Sequence, residues 1–200
     1  MLSGEPGLSK QDRNDLSRND SRLTEDEGIF LALLVRVEPA TAYQLSKIYA
    51  DSPVSNFGTS KGKIYPLIER LKRRGLLDAQ PVKGDSRRSE KLVSTSAGQK
   101  AVREWVMDLK PAHFLVDDPL RTRLQSFELL SHDQQLEWIV NAKEGLQRKL
   151  EELEAYGAAV SVPFKQQVHD NAMTSVRSRV EWLDRLLSVI VREKRASHSN

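Results

Sequence analysis

The stretch GTSKGKIYPLIERLKRRGLL, residues 58–77, constrains the fold more than any other part of the chain. Ile64, Leu67, Ile68 and Leu71 recur at spacings of three and four, the pattern of a helix with one buried face. Thr59 or Ser60 can serve as N-cap, and Gly75 stands where a glycine ends a helix. The same helix nevertheless carries Gly62 and Pro66. Pro66 has no N–H for the carbonyl of residue 62, and its ring presses on that turn. A glycine at 62 takes a side chain out of the turn, which is expected to limit the strain. It also lets backbone come close to a phosphate.

Charge singles out the same region. Between residues 59 and 91 ten Lys and Arg stand against four Asp and Glu, a local balance of +6 in a chain whose net charge is +3. A basic segment on an otherwise mildly acidic protein points to a polyanionic partner that touches one place.

The flanking sequence supplies the rest of a small domain. Thr24 and Glu27 have the spacing of a capping box, and Ile29, Phe30, Leu31, Leu33, Leu34 and Val37 then predict a core helix that stops before Pro39. Thr41 can cap a second helix, AYQLSKIYAD, with Tyr43, Leu45 and Ile48 or Tyr49 on its buried side. After the basic helix, LLDAQPV and EKLVST predict two short strands joined by the turn formers of KGDSRR. Thr95, Ser96 and Gln99 can open a further helix over about 96–109, with Ala101, Val102, Trp105 and Leu109 inward.

KPAHFLVDDP marks a domain boundary, with Asp117 and Asp118 before Pro119 as helix caps. Three helical segments follow. The first is short, over 119–130. The second opens at Ser131 with Gln134 and carries Leu136, Ile139 or Val140, Lys143, Leu146, Leu150 and Leu153; the third follows Pro163 and carries Val168, Ala172, Val176, Val180, Leu183, Leu187 and Ile190. Alternating spacings of three and four over several turns make a coiled-coil type seam. A seam this long favours a dimer. Residues 1–22 are polar without periodicity and read as a disordered tail.

The expected fold is therefore mostly α with a small β-hairpin. A winged helix-turn-helix domain spans residues 23–110, and a C-terminal helical, coiled-coil-like dimerisation domain spans 111–196. In a winged helix the third helix enters the major groove with its N-terminal end toward the bases, and the hairpin tracks the backbone.

The stretch from Gly58 to Leu77 also resembles the signature of the PadR family of bacterial transcriptional regulators. Ile64, Tyr65, Pro66, Leu67, Glu69, Arg70, Leu71, Gly75 and Leu76 stand at matching places. Tyr43 with Gln44 and Leu45 is similar to the family's tyrosine at the second helix, and Arg87, Arg88, Thr95 and Gly98 to its wing and the Thr-x-x-Gly that follows. The likeness by motif covers residues 28–107. The chain departs from the family at Thr41 and Ala42, where His-Gly is frequent, at Lys91 and Leu92, where paired tyrosines are frequent, and at Ser94, usually aliphatic.

The resemblance implies a sequence-specific DNA-binding regulator, expected to be a repressor that acts as a homodimer on an inverted-repeat operator. The expected DNA contacts are Tyr43, Thr59, Ser60, Lys61, Lys63, Tyr65, Arg87, Arg88 and Lys91. Tyr65 can equally pack in the core. Lys72, Arg73 and Arg74 sit at the helix C-terminus, where cations suit the dipole, and are read as structural or solvating. Trp138 and Trp182 can line a dimer interface or a pocket for a small aromatic effector, some relatives binding flat aromatic compounds; Trp105, like them, reads first as packing.

The alternative is a winged-helix protein-interaction module assembled through its helical arms and not binding DNA, since fold alone does not settle function. No enzyme is expected, because no nucleophile–base–acid set or glycine-rich phosphate loop is visible. The chain has no cysteine and four scattered histidines, so no metal or other cofactor is expected. The absence of an apolar run of about 18 residues or an apolar N-terminal block argues against a membrane segment or secretory signal. A cytoplasmic protein is expected.

Overall fold

The computed structural model describes residues 22–55, 57–81, 90–159 and 162–197. Of the predicted tail over 1–22, residues 1–21 lie outside the described residues, as does the wing turn with Arg87 and Arg88. The chain divides into two units, one over 22–51 and 57–113, the other over 52–55 and 114–197.

In the first unit, helix α1 (Glu25–Val37) opens with the full capping box. The Glu27 N–H donates to Thr24 Oγ1, and the Thr24 N–H donates back to Glu27 Oε2. The two-residue strand β1 (Ala40–Thr41), which hydrophobic pattern could not have found, leads into α2 (Ala42–Ala50), capped by Thr41 and Gln44 in the same way. Helix α3 (Lys61–Arg73) carries Pro66 in its interior and ends at Gly75, whose φ of +65° is the left-handed conformation that favours glycine. Strands β2 (Leu77–Pro81) and β3 (Glu90–Ser94) form the hairpin, and helix α4 (Ser96–Met107) follows. The sheet is antiparallel in the order β1-β3-β2, with Ala40 opposite Leu92 and Ala79 opposite the same residue.

Phe30, Leu31 and Leu34 of α1, Leu45 of α2, Ile64, Leu67 and Leu71 of α3, Leu77 and Leu92 of the hairpin and Ala101 of α4 form one core. Burying each leucine or isoleucine contributes about 1.5–3 kcal/mol. Two glycines let the elements close up. A Cβ on Gly98 would lie 2.0 Å from the Leu76 carbonyl, and one on Gly28 would lie 2.2 Å from the Trp105 ring. The Thr-x-x-Gly motif is thereby accounted for. Thr95 Oγ1 accepts from the Gly98 N–H at 3.0 Å and donates to the Gly75 carbonyl at 2.7 Å, so one hydroxyl joins the start of α4 to the end of α3.

Three expectations are corrected. Tyr43 is 74% exposed and Ile48 is at the surface, so Leu45, with Ala42 and Tyr49 packed beside it, forms the buried side of α2. Leu109 is exposed because α4 ends at Met107, two residues earlier than expected. A Cβ on Gly62 would meet nothing within 4 Å outside its own stretch of helix backbone, so the glycine is not there to clear a side-chain clash.

Ser94 departs from an aliphatic for a visible reason. Its hydroxyl donates to Glu38 Oε1 at 3.0 Å and its N–H to Glu38 Oε2 at 2.5 Å, which fastens the end of β3 to the end of α1.

The second unit has α5 (Pro119–Leu124), a 3-10 turn at Phe127–Leu129, α6 (His132–Ala159) and α7 (Lys165–Ser197). The expected single helix over 119–130 is thus broken at Gln125 and Ser126. Asp118 caps α5 through the Leu120 N–H and pairs with Arg179 at 2.9 Å. Ser131 and Gln134 exchange capping hydrogen bonds at the start of α6.

Helices α6 and α7 pair lengthwise with each other. Ile139, Leu183 and Ile190 form one cluster, with Leu187 packed against it, and Leu153, Met173 and Val176 form another. Much of the seam is therefore used within the chain, whereas Val140 and Val168 are about half exposed. Trp138 meets Phe127 edge-on at 4.9 Å, and Trp182 packs into the same cluster, both half-buried.

Candidate nucleic-acid interface

The buried face of α3 consists of Ile64, Leu67, Ile68 and Leu71, which leaves Lys61, Gly62, Tyr65, Pro66, Glu69 and Arg73 on the exposed side. Lys61, Tyr65, Glu69 and Arg73 are four residues apart and make one stripe along the helix. Tyr65 is 54% exposed, which removes core packing as its role. Thr59 is half-buried and Ser60 exposed just ahead of the helix, and the Ser60 carbonyl receives its first hydrogen bonds, from the N–H groups of Lys63 and Ile64. The Ser60 hydroxyl makes no cap hydrogen bond. The N–H groups of Lys61 and Gly62 lie in the first turn, where helix donors face outward and the dipole favours an anion.

The cations of the segment divide sharply. Arg70 and Arg74 both reach Glu27, at 3.3 and 2.9 Å, and Arg74 also donates to the Arg22 carbonyl at 3.1 Å. Glu27 is 3% exposed. Burial pushes its carboxyl pKa up, but the Thr24 N–H and the two guanidiniums outweigh burial and hold it below the usual glutamate value. Lys72 bridges Glu69 on α3 and Glu90 on β3, at 3.4 and 3.2 Å. Its partial burial pushes the ammonium pKa down, and the two carboxylates reverse that and raise it. The expectation that Lys72 and Arg74 are structural matches this geometry.

Lys63, one of the expected DNA contacts, belongs with this paired group. Its ammonium lies 3.0 Å from Asp26 Oδ1 and 4.8 Å from the centre of the Phe57 ring. Nothing local signals this, since Asp26 is 37 residues away in sequence. Among the described residues of the basic segment, Lys61, Arg73 and Lys91 have no carboxylate within ion-pair distance. Lys91 is exposed on β3 opposite Thr41, and Tyr43 follows at the exposed start of α2. Among the described residues no group of three His, Asp or Glu side chains is arranged to hold a metal ion, and no helix is long and apolar enough to cross a membrane.

No family model matches the chain, and no curated protein matches it. Solved structures do. Bacillus subtilis PadR in complex with operator DNA superposes with a TM-score of 0.70 at 20% identity, over 82% of this chain and 98% of that one. The chain has the PadR fold.

The same PadR in complex with p-coumaric acid matches with a TM-score of 0.64 at 17% identity, over 82% of this chain and 98% of that one. A PadR-like transcriptional regulator from Bacillus cereus matches at 0.66 and 16% identity, over 84% of this chain and 99% of that one. The PadR likeness thus extends beyond residues 28–107, the part legible by motif, into the C-terminal helices.

Proposed function

We propose that the chain is a PadR-type transcriptional regulator that binds double-stranded DNA and lies in the cytoplasm. The observation that carries this reading is the start of α3. Lys61, Tyr65 and an unobstructed Gly62 are exposed beside Ser60, next to a hairpin, in a fold shared with a PadR bound to operator DNA. Hydroxyls, an ammonium and outward N–H groups are the donors that phosphate oxygens and base edges accept, and a good bidentate base contact is worth about 1–3 kcal/mol of discrimination. Tyr43 and Lys91, both exposed, extend the surface, and Arg87 and Arg88 of the wing turn complete it by sequence.

The first unit is the DNA-binding domain and the second the dimerisation domain. A homodimer places two recognition helices in successive major grooves about 34 Å apart on an inverted repeat, where it represses transcription. Half-exposed Val140 and Val168, left over after α6 and α7 have paired, supply apolar surface for a second copy. A small planar aromatic compound releases it, held near Trp138 and Trp182; the p-coumaric acid complex of PadR is the precedent. Tryptophan fluorescence titrated with phenolic acids and planar cationic drugs tests this part, and an unresponsive signal removes it.

The deciding experiment is binding to labelled duplex from the chain's own upstream region, with unrelated duplex as competitor. Saturable binding that survives competitor supports the proposal. No binding by folded, dimeric protein transfers the weight to a protein-interaction module, for which the exposed Val106, Met107 and Leu109 would offer apolar contact.

A further inference from the structure

Lys63 stands at the start of the recognition helix, yet three separate contacts hold it against the protein. Its ammonium pairs with Asp26 in the first turn of α1 at 3.0 Å. It lies over the Phe57 ring at 4.8 Å, within the range of a cation–π contact. Its stem runs over Gly58, where a Cβ would come within 3.0 Å of Lys63 Cδ. Phe57 is itself anchored, 7% exposed and packed on Tyr49 at 4.6 Å. The Tyr49 hydroxyl in turn donates to the Ile29 carbonyl at 2.7 Å.

Asp26 is followed by Glu27, which takes Arg70 and Arg74. Two adjacent carboxylates of one helical turn therefore hold the recognition helix at two places, residue 63 and residues 70–74. At 1.5 Å per residue those places are roughly 10 Å apart along the axis. A phosphate approaching Lys63 would have to displace Asp26 and would then face that carboxylate at close range.

We infer that Lys63 is a positioning residue and not a phosphate ligand: with Asp26 and Phe57 it clamps residues 57–60 to α1, and so fixes where Thr59, Ser60 and Lys61 meet DNA. The inference rests on the DNA-binding function proposed above. Lysine suits the role because its stem covers Gly58 while its charge satisfies Asp26. Methionine at 63 would keep the stem and lose the charge.

The test compares wild type, Lys63→Met, Lys63→Arg, Asp26→Asn and the Lys63→Met/Asp26→Asn pair. Each is titrated with operator duplex and with unrelated duplex across a salt series. Hydrogen exchange of residues 57–64 is followed in the same folded proteins without DNA. Lys63→Met, which loses a half-exposed ion pair and a cation–π contact, is expected to lose about five- to tenfold in operator affinity, and Asp26→Asn, which loses the ion pair alone, about two- to fivefold. Their salt dependence should remain that of wild type, and the double variant should lose no more than Lys63→Met alone. Lys63→Arg should recover most of the affinity, and exchange should quicken in both single variants.

A salt slope lowered by about 0.9 in Lys63→Met, the mark of one lost phosphate contact, overturns the inference. So does tighter operator binding by Asp26→Asn, or unchanged affinity in both single variants. Failure of wild type to bind any duplex defeats the proposed function instead. The exchange data then still decide the clamp, because unchanged protection in both variants disproves it.

Discussion

Both ends of α3 are basic in sequence, Lys61 and Lys63 at one and Arg70, Lys72, Arg73 and Arg74 at the other, but they differ in structure. At its C-terminal end Arg70 and Arg74 close on a buried Glu27, and Lys72 spans Glu69 and Glu90. At its N-terminal end Lys61, Gly62 and Tyr65 face outward, and the one cation tied down there is Lys63. Charge written in a sequence is thus not charge available to a partner. A local balance of +6 gives the region its sign, but of its described cations Lys63, Arg70, Lys72 and Arg74 are paired with carboxylates of the chain, which leaves Lys61, Arg73 and Lys91 open to a partner.

The largest effect expected on this contrast is at the anchored end. Glu27→Ala should lower stability by about 3 kcal/mol in urea denaturation. That is the low side of the range for breaking a buried pair, because both guanidiniums keep access to water. The pH dependence follows from the lowered folded-state pKa of Glu27. Its contribution is fully present above the unfolded glutamate value of about 4.3 and is lost as pH falls through the lower folded value. Wild type should therefore lose stability below about pH 4 more steeply than Glu27→Ala. Parallel curves would mean that the buried carboxylate does not anchor the helix.

Gly98→Ala should come next, at roughly 1–3 kcal/mol, since the new methyl meets the Leu76 backbone and cannot push aside a flexible side chain. Ser94→Ala should lose about 1 kcal/mol, the worth of its hydroxyl bond to Glu38. Gly62→Ala sharpens the comparison from the other side. The site is open, so stability should rise by up to about 1 kcal/mol on helix propensity, while operator affinity falls if backbone approaches DNA there. A destabilised Gly62→Ala would restore the crowded-turn account of that glycine.

What was legible in the sequence was local. The capping box at Thr24, the caps at Thr41 and Ser131, the i, i+3, i+4 face of α3 and the stop at Gly75 all lie within a few residues of the feature they determine. What was not legible depends on pairs distant in the chain. Strand β1 exists only because β3 lies beside it, and the pairing of Lys63 with Asp26 could not be read because Asp26 gives no sign in sequence of where it will point. Periodicity found the seam of α6 and α7 but could not say whose helix fills it, and the two helices of one chain fill much of it. Tyr43 was placed both inside and at the DNA surface, and its 74% exposure removes the first.

The measurement that tests the central claim most directly is the salt dependence of operator binding for wild type, Lys61→Met and Arg74→Met. The account predicts that Lys61→Met lowers the slope of log affinity against log salt by about 0.9 without loss of stability. Arg74→Met should leave the slope intact and lower stability instead. A slope that falls for Arg74→Met and holds for Lys61→Met would contradict the account, and put the DNA at the end of the helix that the structure shows to be occupied.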